Sequence, residues 1–270
     1  MLVDAFLFNG EMDILNLRLH ELEDVVDYFV IVESREYHGS GRSKPLRGSL
    51  LRNLPKVEYA LVPHLEPPFK DSDSAWAREN FHRNSILPYV LNLNPRRDDL
   101  LMLSDADEIP RASAVLKWVM GHSTLQLYAA AQDFFYYNVN NYIGEWHGTV
   151  MGTMEAFAKN GTLQDARMKR DGLPVIENCG WHASYFSGLK RVKQKLANFA
   201  HACEDSAKQV LRKTDEQLVA DMLAGRDIFD RPGMMRLEHR SSNDPRLPKF
   251  LPRHFTEEGL AELLEKELHG

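Results

Sequence analysis

Apolar residues in the first third of the chain fall into short unbroken runs with a stretch of helical period between them. Residues 3–8 read as a buried strand and Asn9-Gly10 as the turn leaving it. Residues 11–22 read as a helix, because Met12, Leu15, Leu19 and Leu22 recur at helical spacing. Residues 28–32 are a second buried strand, and strand, helix, strand makes a parallel pair. Residues 35–55, rich in Gly, Pro, Arg and Lys with no clear period, read as a loop over the sheet face that could close on a ligand. A third strand is expected at 57–62. Another loop follows at 63–73, where Pro67-Pro68 excludes a helix. Ser74 is placed as the cap of a helix running from Ala75 to about Leu91.

The pattern then breaks at Leu100-Leu101-Met102-Leu103-Ser104-Asp105-Ala106-Asp107-Glu108-Ile109-Pro110. An apolar run ending in three carboxylates within four residues reads as a central strand, covered on both faces, that runs into an acidic loop. Open α/β sheets place ligands at the carboxyl ends of their strands. Asp105 and Asp107, two apart on extended chain, point the same way, so both can reach one hard divalent cation, Mn2+ or Mg2+, carrying a nucleotide diphosphate. An acidic turn of this kind is also commonly a solvated loop or a helix cap. Polar groups gather where the first two strands end, at Glu11 and at Glu33-Ser34. On the helix after Ala75, Trp76 and Arg83 lie seven apart and close to one face, with Arg78 and Glu79 between them. Arg78 and Arg83 are candidate phosphate ligands, although helical arginines more often pair with carboxylates.

Downstream, a short helix is expected at 112–120, closed by Gly121, and two strands at 125–131 and 134–139. The second strand leads into Tyr137, Asn138, Asn140, Asn141, Tyr142, Trp146 and His147, a mixture suited to stacking on sugar faces and bonding hydroxyls. A strand is placed at 150–157 and a polar mixed stretch at 162–172. Gly180-Trp181-His182 resembles a strand end that brings one imidazole into a site. Neutral His182 could complete a metal shell begun by the carboxylates, though a lone histidine is more often a hydrogen-bonded core residue. Helices follow at 187–201, from a Thr214/Gln217 capping box to Gly225, and at 256–268. Residues 231–253 are Pro-rich and basic.

Composition narrows the partners. With 270 residues, 43% hydrophobic and 27% charged, the chain supports one good core with extensions. The expected division is a catalytic domain over 1–230 and a C-terminal wrap with an amphipathic helix over 231–270. A net charge of −6 makes no electrostatic case for nucleic acid and favours a small-molecule partner. Cys179 and Cys203 cannot make a disulfide framework. The chain enters a strand-like run at once and nothing reaches transmembrane length, so a soluble, cytoplasmic protein is expected, unless an anchor was trimmed away.

Together, Phe8-Asn9-Gly10-Glu11, Val30-Ile31-Val32-Glu33-Ser34, Trp76 with Arg83, Asp105 to Pro110, and Gly180-Trp181-His182 resemble glycosyltransferase family 17 over roughly residues 3–230. The resemblance implies an α/β, A-type glycosyltransferase fold: a Rossmann-like, mostly parallel sheet flanked by helices, with a helical C-terminal extension. It further implies a nucleotide-sugar donor, UDP-N-acetylglucosamine above others, transferred with inversion onto a carbohydrate hydroxyl. On that reading Asp105, Asp107 and His182 hold the metal. Phe8, Asn9, Glu11, Glu33 and Ser34 surround the nucleoside, with Arg78, Arg83 and Asp105 completing the donor site. Tyr137, Asn138, Trp146 and Trp181 meet the acceptor, and Glu145 is the base, with Glu155 in reserve. Tyr185-Phe186 departs from the family's continuation, so no acceptor is carried over. A non-catalytic nucleotide-sugar or glycan-binding protein is the alternative. A phosphatase of the Asp-x-Asp kind ranks below both, because the acidic loop comes late and Ile109 stands where such enzymes carry Thr or Val.

Overall fold

The computed structural model describes residues 1–64, 75–121, 125–199, 205–231 and 238–269. These form one ten-stranded sheet with helices on both faces. The first half comprises β1 (Leu2–Phe8), α1 (Met12–Leu22), β2 (Tyr28–Ser34), the single turn α2 (Gly48–Leu51), β3 (Val57–Val62), α3 (Ala75–Asn84), α4 (Ile86–Leu91) and β4 (Leu100–Asp105). The second half begins with β5 (Glu108–Pro110), α5 (Ala112–Gly121), β6 (Tyr128–Tyr136), β7 (Asn141–Thr153), α6 (Met154–Lys159) and α7 (Leu163–Met168). It closes with β8 (Val175–Ile176), β9 (Gly180–Ser184), α8 (Gly188–Asn198), α9 (Asp205–Val210), α10 (Asp215–Leu223), β10 (Glu238–His239) and α11 (Glu257–His269).

The sheet order is β3-β2-β1-β4-β7-β6-β9-β5. The strands up to β4 are all parallel. Beyond β4 the pairing is mixed, with β7 antiparallel to both β4 and β6 and β9 parallel to β6. The parallel part is the one the unbroken apolar runs foretell, since both of its faces are covered. Along β1, Leu2, Phe6 and Phe8 join one core layer while Val3, Ala5 and Leu7 join the other. A third core beside the sheet packs Leu189, Val192 and Leu196 of α8 against α10 and against Leu260 and Leu264 of α11.

Three elements differ from their sequence reading. The helix expected from Ala75 to Leu91 is broken at Ser85 into α3 and α4. Pro88 explains the break: in a continuous helix it could not donate to the Asn84 carbonyl, and its ring would collide there. The strands read at 125–131 and 134–139 are one strand, β6. Its central polar pair is partly satisfied, since Gln132 donates to Thr149 Oγ1 at 3.4 Å while its own Oε1 stays without a partner among the described residues, and Asp133 meets Arg240 at 3.0 Å. The strand read at 150–157 is the end of β7 followed by α6, whose first turn is capped by Thr153 accepting from the Ala156 amide at 3.1 Å. Ser74, Pro67-Pro68, Cys203 and the end of the helix read at 187–201 lie outside the described residues. No helix among the described residues is long and apolar enough to cross a membrane.

One buried cation sets the geometry at the end of β4. Arg18 of α1 is fully buried and grips Asp4 of β1 in a two-pronged ion pair at 2.6 and 2.7 Å. Its remaining donors reach Ser104 Oγ at 2.6 Å and the carbonyls of Asp105, Ala106 and Glu108 at 3.1, 3.3 and 2.8 Å. A planar five-donor guanidinium thus satisfies the inner carbonyls of the acidic turn. Removing one partner of such a buried pair strands the other charge. Arg18→Met is therefore expected to cost about 3–5 kcal/mol in urea unfolding, with much of the loss recovered in Asp4→Leu/Arg18→Met; a single variant within 1 kcal/mol of wild type would show that the pair does not hold the turn.

Candidate active site

The parallel strands β1 and β4 end side by side, with Leu7 of β1 opposite Asp105 of β4, and a cleft of about 380 Å³ opens at these ends. Asn9, Glu11, His38, Trp76, Glu79, Arg83, Asp105, Asp107, Trp146, Gln164, Arg167, Arg170, Lys195 and Phe199 contribute its polar and aromatic lining. Asp105 and Asp107 both face it, yet they are engaged differently. Each Asp105 oxygen meets a guanidinium, Arg83 at 2.7 Å and Arg167 at 3.1 Å. Arg83 also reaches Glu79 at 3.0 Å and Gln164 at 2.6 Å. Arg167 also donates to Glu108, whose other oxygen accepts from the Asp105 amide at 3.0 Å. The Trp146 indole N–H completes this group with a 2.7 Å bond to Glu108.

Asp107 instead accepts from Lys195 Nζ at 2.8 Å and stands 3.8 Å from His182 Nε2. Burial opposes ionisation of both aspartates. Lys195 and His182 overcome it at Asp107, and Arg83 and Arg167 at Asp105, so both carboxyls are held well below the usual range. The imidazole of His182 is fixed by stacking on Phe134, with ring centres 4.4 Å apart. β9 can deliver it so close to the acidic turn because residue 180 is glycine. A Cβ there would stand 2.0 Å from the Ile109 carbonyl, and its φ of +130° suits no other residue.

These contacts test the donor set expected for a divalent cation. Asp107 Oδ2 and His182 Nε2, 3.8 Å apart, fall within the span of two ligands on one ion, given metal–ligand bonds of about 2.0–2.2 Å. Asp105 carries a guanidinium on each oxygen and could join them only through its remaining lone pairs. Lys195 would have to share or release Asp107. No group of three acidic, histidine or cysteine side chains arranged for a metal occurs among the described residues, so Asp107 and His182 would hold an ion with substrate oxygens completing its shell.

The other expected site residues divide. Asn9, Glu11 and Arg83 line the cleft with the aspartates, whereas Phe8 lies wholly in the core. Glu33 is buried behind the site, accepting from Tyr59 Oη at 2.8 Å and the Arg47 amide at 3.1 Å, with Lys44 Nζ at 3.5 Å. Lys44 in turn donates to Asn9 Oδ1 at 2.8 Å. The loop expected to close on a ligand is thus fastened to the sheet. Ser34 accepts from the Glu36 amide, and Arg78 binds the carbonyls of His38 and Gly39, so neither faces the cleft.

Of the residues expected at the acceptor, only Trp146 lines the cleft. Tyr137 is fully buried and donates to the Arg226 carbonyl at 2.7 Å. Asn138 is buried and accepts from the Asn140 amide, and buried Trp181 donates to the Arg246 carbonyl at 3.0 Å. Glu145 precedes Trp146 on β7, so its side chain takes the opposite face; it is exposed and 3.2 Å from His147. Glu155 sits at the wrong end of the sheet. β7 runs antiparallel to β4, placing Thr153 opposite Leu100, at the far end of that strand from Asp105.

Glu108, Arg167, Arg170, Lys195 and His38 were not foreseen. Lys195 carried a signal: it stands three residues after Val192 and one before Leu196, at the border of the apolar face of α8. Arg167 had a weaker one, since the Thr162/Asp165 capping box that starts α7 is visible in the sequence.

The sequence pattern of glycosyltransferase family 17 matches residues 1–238. The beta-1,4-mannosyl-glycoprotein 4-beta-N-acetylglucosaminyltransferases of Rattus norvegicus and Homo sapiens are each 33% identical to the chain over 125 residues, 42% of this chain and 22% of theirs. The matched stretch therefore spans about a fifth of the length of these curated relatives. Among solved structures, S. aureus TarS superposes with a TM-score of 0.40 at 10% identity, over 83% of this chain and 80% of its own. The inositol-1-phosphate CTP transferase of T. maritima gives 0.37 at 11%, over 67% and 85%. Both likenesses are too loose to bear on chemistry.

At the cleft wall, His38 Nε2 and His82 Nδ1 are 2.9 Å apart and buried. Burial, then Arg83 and Lys44, pushes His38 down to about 3, and burial with His38 holds His82 well below its ordinary value. The unfolded chain takes up these protons below about pH 6.5 while the native chain does not. Stability from the pair is therefore complete above pH 6.5 and declines as pH falls toward 3, by about 1.4 kcal/mol per pH unit for each proton. Urea midpoints from pH 7.5 to 4.5 should show this slope, and His38→Gln/His82→Gln should flatten it; an unchanged slope in that variant would assign it to other groups.

Proposed function

The chain belongs to glycosyltransferase family 17, and from that premise we propose that it is an inverting, metal-dependent enzyme moving N-acetylglucosamine from UDP-N-acetylglucosamine to a carbohydrate hydroxyl. The observation that carries this reading is the acidic turn at the end of β4, with Asp107 lining a polar cleft and His182 close enough to it to share one ion. Asp107 and His182 would hold Mn2+ or Mg2+, which supplies charge neutralisation to the diphosphate as it leaves.

The protein's own residues do the rest. Arg18 fixes the turn from beneath, and Arg83 and Arg167 hold Asp105 as a structural strut between α3 and α7. Lys195 keeps Asp107 ionised and adds positive charge beside the departing phosphate. The acceptor hydroxyl attacks the anomeric carbon from the face opposite UDP and gives its proton to a carboxylate. Glu145 and Glu155 are displaced from that role by their positions. Of the carboxylates that line the cleft, Glu11 is held by Arg191 and the Asn9 amide, and Asp105 by its two arginines. Asp107 is reserved for the ion. Among the described residues Glu79 Oε2 accepts no hydrogen bond, with His38 Nδ1 at 3.9 Å, and we assign the base to it.

The test is UDP release from UDP-N-acetylglucosamine, with and without manganese, using a panel of sugar acceptors. Asp107→Ala should abolish turnover while the thermal midpoint stays within a few degrees; manganese-dependent turnover in that variant would remove the ion from this turn. Glu79→Gln should bind UDP normally and lose turnover by roughly 100-fold, whereas Glu145→Gln should stay near wild type. The reverse pattern would return the base to β7.

A further inference from the structure

Four permanently cationic side chains line the cleft among the described residues, and three of them are committed: Arg83 to Asp105 and Glu79, Arg167 to Asp105 and Glu108, Lys195 to Asp107. Arg170 is the exception. It follows α7 in a single 3-10 turn, and among the described residues the one carboxylate within 4 Å is Asp171, at 3.9 Å, beyond hydrogen-bond range, while Glu108 and Asp105 act on it only at longer range. Its buried Nε has no hydrogen-bond partner among the described residues. The guanidinium instead lies over the Trp146 ring, 5.0 Å from its centre. That ring is held in place by its bond to Glu108 and by contact with His182, whose centre is 5.0 Å away.

We propose that Arg170, braced on Trp146, is an anion seat of the cleft, and that the anion it takes is the diphosphate of the nucleotide-sugar donor. The proposal rests on the donor reading given above. Three observations support it. The two arginines first expected to take phosphate are engaged elsewhere, since Arg78 is turned to backbone carbonyls and both terminal nitrogens of Arg83 are held by Asp105, Glu79 and Gln164, which leaves only its buried Nε without a partner. Arg170 shares the cleft with Asp107, where the leaving diphosphate is placed. Finally, burial and the charge of nearby Arg167 both disfavour its cation, a cost that an incoming anion relieves. A planar fork set against an indole is pre-oriented for two phosphate oxygens, whereas a lysine at the same position would offer a point charge. Trp146 thus serves the donor side of the cleft rather than the acceptor.

The experiment is calorimetry on the full chain, at one saturating manganese concentration, with three probes: UDP, uridine and inorganic pyrophosphate. In Arg170→Ala, affinity for UDP and pyrophosphate should fall roughly 10- to 100-fold while uridine binds as before, and Arg170→Lys should recover part of the loss. Arg170 is partly exposed, and matching thermal melts will show that the variants are folded. UDP and pyrophosphate binding within twofold of wild type in Arg170→Ala overturns the seat, and leaves the donor reading intact if wild type binds UDP. Wild-type binding of pyrophosphate but neither UDP nor uridine, lost in Arg170→Ala, keeps an anion seat and removes the nucleotide donor. Wild type binding none of the three overturns both.

Discussion

The site depends on a guanidinium that never reaches it. Arg18 lies under the acidic turn, paired with Asp4 of β1, and spends its other donors on the carbonyls of Asp105, Ala106 and Glu108. Carbonyls that turn inward at the end of a buried strand need partners, because water is excluded there. By filling that need with one rigid cation, the fold leaves Asp105 and Asp107 facing the cleft and Glu108 buried beside them. Each then finds its own counter-charge: Asp105 two arginines, Glu108 an arginine and an indole, Asp107 a lysine. The negative cluster is tolerated because a positive cluster from distant segments is folded against it.

This arrangement separates the two aspartates that the sequence pairs. They stand two apart and both face the cleft, but Asp105 is locked as a crosspiece between helices and Asp107 keeps the lighter company of one ammonium and one imidazole. Function at such a turn follows from which carboxylate is left exchangeable, and the partners decide that.

The parallel half of the sheet, its core and the acidic turn were legible because each is encoded locally: unbroken apolar runs, one helical period, a strand ending in acids. The capping boxes at Thr162 and Thr214 were visible for the same reason, although only the second was used. What escaped notice depends on distance along the chain. Arg167 stands 62 residues from Asp105 and Lys195 stands 88 from Asp107, and nothing in either local pattern says which carboxylate will be met. Tyr137, Asn138 and Trp181 have the composition of a sugar platform, yet their polar atoms are consumed by backbone groups inside the protein. Glu145 was misplaced by a matter of parity: on a strand, moving one residue changes the face, and Trp146 has the cleft side.

The last helix gives the cleft a dependence on residues far from it. α8, which carries Lys195, starts at Ser187 without a side-chain cap of its own. Its exposed first amides are taken by Glu267 of α11, at 2.6 Å from Leu189 and 3.3 Å from Lys190, a carboxylate at the positive end of the helix. The residues that match the family pattern end at 238, so the capping group lies beyond them. The helix that carries Lys195 to Asp107 is thus anchored at its start by a carboxylate of the last helix, so a change in that tail reaches the cleft while leaving the cleft lining untouched.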